Sequence, residues 1–269
     1  MTALADKLAK AKADGRAALI GYLPVGFPNL ELSIEAIRAL VEGGADIVEV
    51  GVPYSDPVMD GPVIQAAADV AVRRGTGLAD ALPAVAAVAD AGGAAVVMSY
   101  WNPIEHYGVD RFAAGLAAAH GSGAITPDLI PDEAAPWLAA TDELGLDRVF
   151  LVAPSSTDAR IASTVAACRG FVYAASTMGV TGTRDQVGDA AHQLVQRVRQ
   201  AAPDFPVCVG LGVSNGVQAA QVASFADGVI VGSAFVRRLL DQPNRSGVDT
   251  VRELASELAD GVRQRSAVG

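Results

Sequence analysis

Short runs of apolar residues recur along the chain. Between them lie longer stretches in which apolar positions return every three or four residues. The runs predict strands at Ala17–Leu23, Asp46–Val50, Ala94–Ser99, Ala124–Leu129, Arg148–Ala153, Gly170–Ala174, Val207–Gly210 and Gly228–Val231. Most are continuous rather than alternating, as in strands covered on both faces. The helical period predicts helices at Leu30–Glu42, Leu78–Ala91, Arg111–Ala119, Asp132–Leu144 and Asp189–Ala201. The tail after Gly247 reads as one amphipathic closing helix. A strand–helix–strand rhythm means right-handed parallel crossovers. Eight such units predict a closed α/β (β/α)8 TIM barrel of parallel strands, with an extra short helix near strand eight, over an open doubly wound sheet. Gly75-Thr76-Gly77 and Gly92-Gly93 read as turns. No linker, low-complexity segment or charge run marks a second domain, so residues 1–269 are expected to form one.

Composition agrees with that architecture. The chain has 269 residues, 51 % hydrophobic and only 5 % aromatic, which suits close packing of helices on a sheet. Its formal charge of −10, with no basic stretch, argues against a nucleic-acid or anionic-membrane partner. A phosphate ligand stays open, because backbone N–H groups and helix N-termini bind phosphate locally. Cys168 and Cys208 stand far apart and read as small core residues. His106, His120 and His192 are scattered and do not read as ligands, so no metal is expected. The charged start MTALADKLAKAKADGR lacks an apolar signal core, and no run is long enough to span a membrane. A cytoplasmic setting is expected.

The segment Val48-Glu49-Val50-Gly51-Val52-Pro53-Tyr54-Ser55-Asp56-Pro57-Val58-Met59-Asp60-Gly61-Pro62 carries the sharpest chemistry. Glu49 interrupts an apolar strand near its C-terminal end, where active sites of such barrels lie. An acid there loses hydration and its pKa rises, which suits proton exchange near neutral pH. Alone, a strand Glu reads equally well as half of a structural ion pair. The turn-rich loop that follows leads to Asp60, eleven positions on at the same strand end. Two carboxylates facing one pocket give acid–base chemistry two handles. The competing reading of Asp60 is a helix N-cap before Gly61-Pro62. Asp56 reads as a cap of the Pro57 turn or as a group facing a partner.

Three glycine-containing segments follow the late strands: Gly179-Val180-Thr181-Gly182, Gly210-Leu211-Gly212-Val213-Ser214-Asn215 and Gly232-Ser233-Ala234. Glycine lets backbone approach an anion closely. Ser214 and Ser233 sit where helices are expected to begin, with free N–H groups that can point at a phosphate. Each segment alone reads as an ordinary turn; all three at successive strand ends read as a phosphate cradle. The long stretch Ala175–Gly188 reads as a lid over the substrate.

Together VEVGVPYSDPVMDGP, YAASTMGVTGTR, GLGVS and VGSA resemble the tryptophan synthase α subunit family. The resemblance runs from Tyr22-Leu23-Pro24-Val25-Gly26-Phe27-Pro28 to Phe235-Val236. It implies cleavage of indole-3-glycerol phosphate to indole and glyceraldehyde 3-phosphate, without metal or organic cofactor. Glu49 matches the family's general acid–base, Asp60 its second carboxylate and Tyr173 a tyrosine near the reacting centre. Thr181 matches a lid threonine. Gly182, Gly212, Gly232 and Ser233 match the phosphate cradle, to which Ser214 is added by position. Tyr22, Met98, Ile125 and Leu211 match the indole slot. Met59, Tyr22 and Pro127 depart from the residues usual there. The resemblance further implies a β subunit that receives indole, in a tetramer of two α and two β chains. It docks on the Pro53–Asp60 loop and the Tyr100-Trp101-Asn102-Pro103 segment, with Pro53, Asp56 and Asn102 at the face. Two other readings stay open: another phosphate-binding barrel isomerase or lyase of aromatic amino-acid biosynthesis, and a non-catalytic regulatory partner of the β subunit. A Schiff-base aldolase is disfavoured, since no lysine lies beyond Lys12.

Overall fold

A computed structural model describes residues 2–175 and 184–264. Nine strand segments form one parallel sheet: β1 (Ala18–Pro24), β2 (Ile47–Gly51), β3 (Ala94–Met98), β4 (Gly123–Ile125), β5 (Asp147–Val149), β6 (Leu151–Val152), β7 (Val172–Ala175), β8 (Val207–Gly210) and β9 (Gly228–Val231). The order β5-β4-β3-β2-β1-β9-β8-β7-β6 returns on itself, because β5 and β6 are two halves of one strand broken at Phe150. The first half pairs with β4 and the second with β7. The Phe150 carbonyl accepts the Tyr173 amide at 3.1 Å, so the seam is bonded through the break. The result is an eight-membered α/β TIM barrel ring with helices outside.

Alternation along each strand sorts the side chains. Val48 and Val50 of β2 pack outward under the helices, in the large core cluster. Ile47 faces inward with Ala18, Ile20, Val96, Phe171 and Cys208. Glu49 follows the inward alternation, and so do Tyr22 on β1 and Tyr173 on β7.

The charged N-terminal segment forms the helix Ala3–Ala13. Leu4, Leu8 and Ala11 are buried at spacings of four and three, and they join the inner cluster. This helix closes the bottom of the barrel and leaves the C-terminal face as the open end. Beneath the ring, Arg16 grips Asp46 through two N–H···O bonds of 2.6 and 2.8 Å.

Several boundaries differ from the sequence expectation. Strand four stops at Ile125 rather than Leu129, since Pro127 has no N–H to give a ladder. Pro131 starts a short 3-10 turn, so the next helix begins at Ala135 rather than Asp132. Leu78–Asp80 is likewise a 3-10 turn before the helix Ala81–Asp90. The ninth strand segment is followed by the short helix Ser233–Asp241 and the closing helix Arg245–Arg263, capped by Asn244.

Candidate active site

At the C-terminal end of the ring lies a cavity of about 460 Å³. Its walls include Tyr22, Glu49, Met98 and Tyr173 from the strands and Met59 and Asp60 from the loop after β2. Gly212, Gly232 and Ser233 line it as well.

Glu49 is 1 % exposed, and its Oε1 has no hydrogen-bond partner among the described residues. Loss of hydration disfavours its charged form and pushes its pKa from near 4.5 up to about 8. It is therefore mostly protonated at neutral pH, a proton donor on the cavity wall. Burial also raises Asp60, to about 6; Asp60 is less deeply buried than Glu49, and a hydrogen bond from Tyr100 offsets part of the rise. The two carboxyls thus hold different protonation states at pH 7, one neutral and one charged.

Asp60 does not cap the helix that follows it. The N-cap of Pro62–Arg73 is Gly61, with no side-chain cap bond and Pro62 in the first turn, where its missing N–H costs nothing. The Asp60 carboxylate takes the Tyr100 hydroxyl at 3.3 Å instead. Gln65 on that helix donates to the Asp60 carbonyl at 2.8 Å and holds the loop end down.

Two glycines make the tyrosine seats. A Cβ on Gly51 would lie 2.5 Å from the Tyr22 ring and hydroxyl, and one on Gly210 would lie 2.6 Å from the Tyr173 hydroxyl. Burial, with the Asp60 and Glu49 carboxyls nearby, holds both phenols well above their usual pKa, so they stay neutral donors.

The cradle segments separate. Gly232 is the N-cap of Ser233–Asp241 and carries no side-chain cap, so the first amides of that helix face the cavity rim. Ser214 is placed otherwise: its amide and hydroxyl both donate to Gln218 Oε1, at 2.8 and 3.0 Å, and it does not line the cavity. The cap of the helix Gly216–Ala223 is Asn215, and the Gly216 amide is taken by Glu257. Thr181 and Gly182, with the centre of the expected lid, lie outside the described residues.

The indole-slot candidates also divide. Tyr22 and Met98 line the cavity. Ile125 is fully buried in the inner stack and does not line the cavity. Leu211 packs against the outer core. In their place Pro127, Leu151, Ile230 and Ile64 form apolar wall. Inward alternation on β6 and β9 marks Leu151 and Ile230; nothing in the sequence singles out Ile64.

Of the docking-face candidates, Asp56 and Asn102 are exposed, while Pro53 is buried beneath the loop and shapes that face without presenting itself. Asp56 takes the Ser55 hydroxyl rather than capping the Pro57 turn through its side chain. Asn102 donates to the Tyr54 hydroxyl at 3.3 Å. Val58, 82 % exposed, is an apolar tip beside them. Among the described residues no cluster of three or more His, Cys, Asp or Glu could hold a metal ion, and no helix is long and apolar enough to cross a membrane.

A neutral acid, a charged carboxylate, an apolar slot and a helix N-terminus in one cavity fit a substrate with an aromatic end and an anionic end. Comparison with known proteins agrees. The family model described as tryptophan synthase alpha chain matches residues 8–263. The tryptophan synthase alpha chain of Thermobifida fusca is 65 % identical over 269 residues, covering 98 % of each chain. That of Mycobacterium marinum is 62 % identical over 256 residues, covering 95 % of this chain and 93 % of its own. The ligand-free crystal structure of tryptophan synthase from M. tuberculosis, in a TrpA mutant form, superposes with a TM-score of 0.90 at 56 % identity, covering 98 % of this chain and all of that one.

Proposed function

The chain belongs to the tryptophan synthase alpha chain family and cleaves indole-3-glycerol phosphate in tryptophan biosynthesis; we propose that Glu49, Asp60 and Tyr173 carry that reaction. The observation behind this reading is that Glu49, buried with an unpartnered Oε1, and Asp60, held by Tyr100, line one cavity with Tyr173.

The bond from indole C3 to the glycerol carbon can break only if the ring accepts its electrons. Protonated Glu49 gives its proton to C3, and the ring becomes cationic. The carbon–carbon bonding pair then returns to the ring as indole leaves. Glu49, now a carboxylate, takes the proton of the neighbouring glycerol hydroxyl as that carbon becomes the aldehyde of glyceraldehyde 3-phosphate. One proton is given and one recovered, so the cycle closes on a single acid with a pKa near working pH. Asp60 holds the indole N–H and the charge that develops on it, an electrostatic contribution that grows with desolvation. Tyr173 packs beside the reacting centre. The phosphate sits at Gly212, Gly232 and Ser233, where helix amides supply positive potential; Gly182 is a further candidate by resemblance alone, and Ser214, with both donors on Gln218, is not one. Tyr22 and Met98 bound the indole, with Ile125 and Leu211 supporting from behind.

A β subunit is the partner of this family. We infer an assembly of two α and two β chains, with Asp56, Asn102 and Pro53 at the α face and indole passed across it. The whole chain, 1–269, acts as one domain in a cytoplasmic setting, and the reaction calls for no cofactor.

The test is indole release from indole-3-glycerol phosphate by the purified chain, wild type beside Glu49→Gln, with and without a β subunit. Turnover that rises with the partner and falls by several powers of ten in the variant is expected. A Glu49→Gln protein near full kcat overturns the assignment.

A further inference from the structure

Tyr100 belongs to no strand and does not line the cavity, yet it touches the cavity's charged acid. It follows β3 and caps the helix Trp101–Tyr107 through its extended backbone. Its side chain is 6 % exposed. The hydroxyl accepts the Met59 amide at 2.9 Å and stands 3.3 Å from Asp60 Oδ2 as donor. Its ring meets Tyr54 with centroids 5.1 Å apart, so the ring is clamped on the same loop that the hydroxyl holds. One oxygen therefore reads two successive residues of the loop, the backbone of Met59 and the carboxylate of Asp60.

The geometry points to Tyr100 as a positioning residue for the cleavage reaction: its hydroxyl fixes the rotamer of Asp60 toward the indole and keeps that carboxylate ionised. This inference rests on the role given to Asp60 above. A hydroxyl whose lone pair is occupied by an N–H turns its own proton outward, and here the outward direction is Asp60. The bond to Met59 is of ordinary length, while the bond to Asp60 is long for O–H···O and has room to shorten as substrate excludes water. The other titratable groups facing Asp60 are Tyr22 from β1, Tyr173 from β7 and Glu49 from β2, and Asp128 from the segment after β4 acts on Tyr100. Among the described residues, Tyr100 is the side chain whose hydrogen bond favours the charged form of Asp60, and those three add none.

The experiment is the pH dependence of kcat for Tyr100→Phe, which keeps the ring on Tyr54 and removes the hydroxyl alone. It is run beside Asp60→Asn and the double variant, each with β subunit present. We expect Tyr100→Phe to lower kcat roughly tenfold near pH 7 with KM little changed. Its acidic limb should move toward alkali by about one pH unit. In the Asp60→Asn background the same change should have no further effect. An unmoved acidic limb, or losses that simply add, makes Tyr100 a structural residue and overturns the inference while leaving the role of Asp60 intact. Wild-type turnover in Asp60→Asn overturns both. Thermal melts of Tyr100→Phe within a few degrees of wild type keep these outcomes distinct from a folding defect, and 13C titration of the Asp60 carboxyl reads the same shift without turnover.

Discussion

Gly51 and Tyr22 occupy one space: the missing Cβ of the glycine is filled by the tyrosine ring and hydroxyl, 2.5 Å from where that carbon would stand. Both residues sit on neighbouring strands near the cavity floor. Gly51→Ala must push Tyr22 into the slot. The expected cost is about 1–3 kcal/mol of stability, with kcat/KM reduced at least tenfold. Adding Tyr22→Leu should restore stability but not full activity. Chemical denaturation of the four proteins of this cycle gives the coupling, and strictly additive losses would show that the two residues do not share the space.

Glu49 makes stability depend on pH in an unusual direction. Its folded pKa, about 8, lies above its ordinary value near 4.5, so the native state binds the proton more tightly than the unfolded chain. Its contribution is fully present below about 4.5 and is lost as pH rises through about 8, a loss on the order of 5 kcal/mol. Glu49→Gln carries no such proton. Its melting temperature should gain on wild type steadily between pH 5 and pH 8.5, and a constant difference would mean that Glu49 is not held neutral.

The same two acids predict a bell-shaped kcat profile. Asp60 must be ionised, which sets an acidic limb near pH 6, and Glu49 must begin protonated, which sets an alkaline limb near pH 8. Glu49→Gln should leave no alkaline limb in its residual rate. Stopped assays from pH 5 to 9.5 check this.

Ser233 opens the helix whose first amides face the cavity rim. Ser233→Asp puts a carboxylate where the substrate's phosphate is placed. KM should rise by roughly tenfold or more while the melting temperature holds, because an acid at a helix start suits the helix itself. Inorganic phosphate should lose its competition with substrate in parallel. An unchanged KM would move the phosphate elsewhere on the rim.

Much of this arrangement is legible in the amino-acid order alone. Continuous apolar runs mark the barrel strands, and Glu49 stands out because a charged residue breaks one of them. What escapes is decided by contacts between distant segments. The helix at Ala3–Ala13 has its apolar positions at four, eight and eleven, but a weakly amphipathic start says nothing of the barrel floor it covers. Ser214 precedes a helix, yet Gln218 four residues on takes both its donors. Asp60 has the local sequence of a cap and is turned instead to Tyr100, forty positions away. Ile125 sits one inward step below Pro127, which lines the wall in its place.

Leu4 separates floor from site. It is fully buried against the inner cluster, at the end of the barrel opposite the cavity. Leu4→Ala should cost about 2–5 kcal/mol of stability yet leave kcat at 25 °C within a factor of two. A large fall in kcat with normal folding would mean that the floor reaches the chemistry.

The ring's last seam has a consequence for how the protein is made. Every pairing joins strands adjacent in the chain except that of β1 with β9, Ala18 opposite Gly228. A nascent chain that has not yet released Gly228 from the ribosome holds two bare sheet edges, each able to recruit a stray strand. The last stretch of the chain, which carries neither catalytic carboxylate, is what covers both edges, β9 pairing with β1 on one side and β8 on the other.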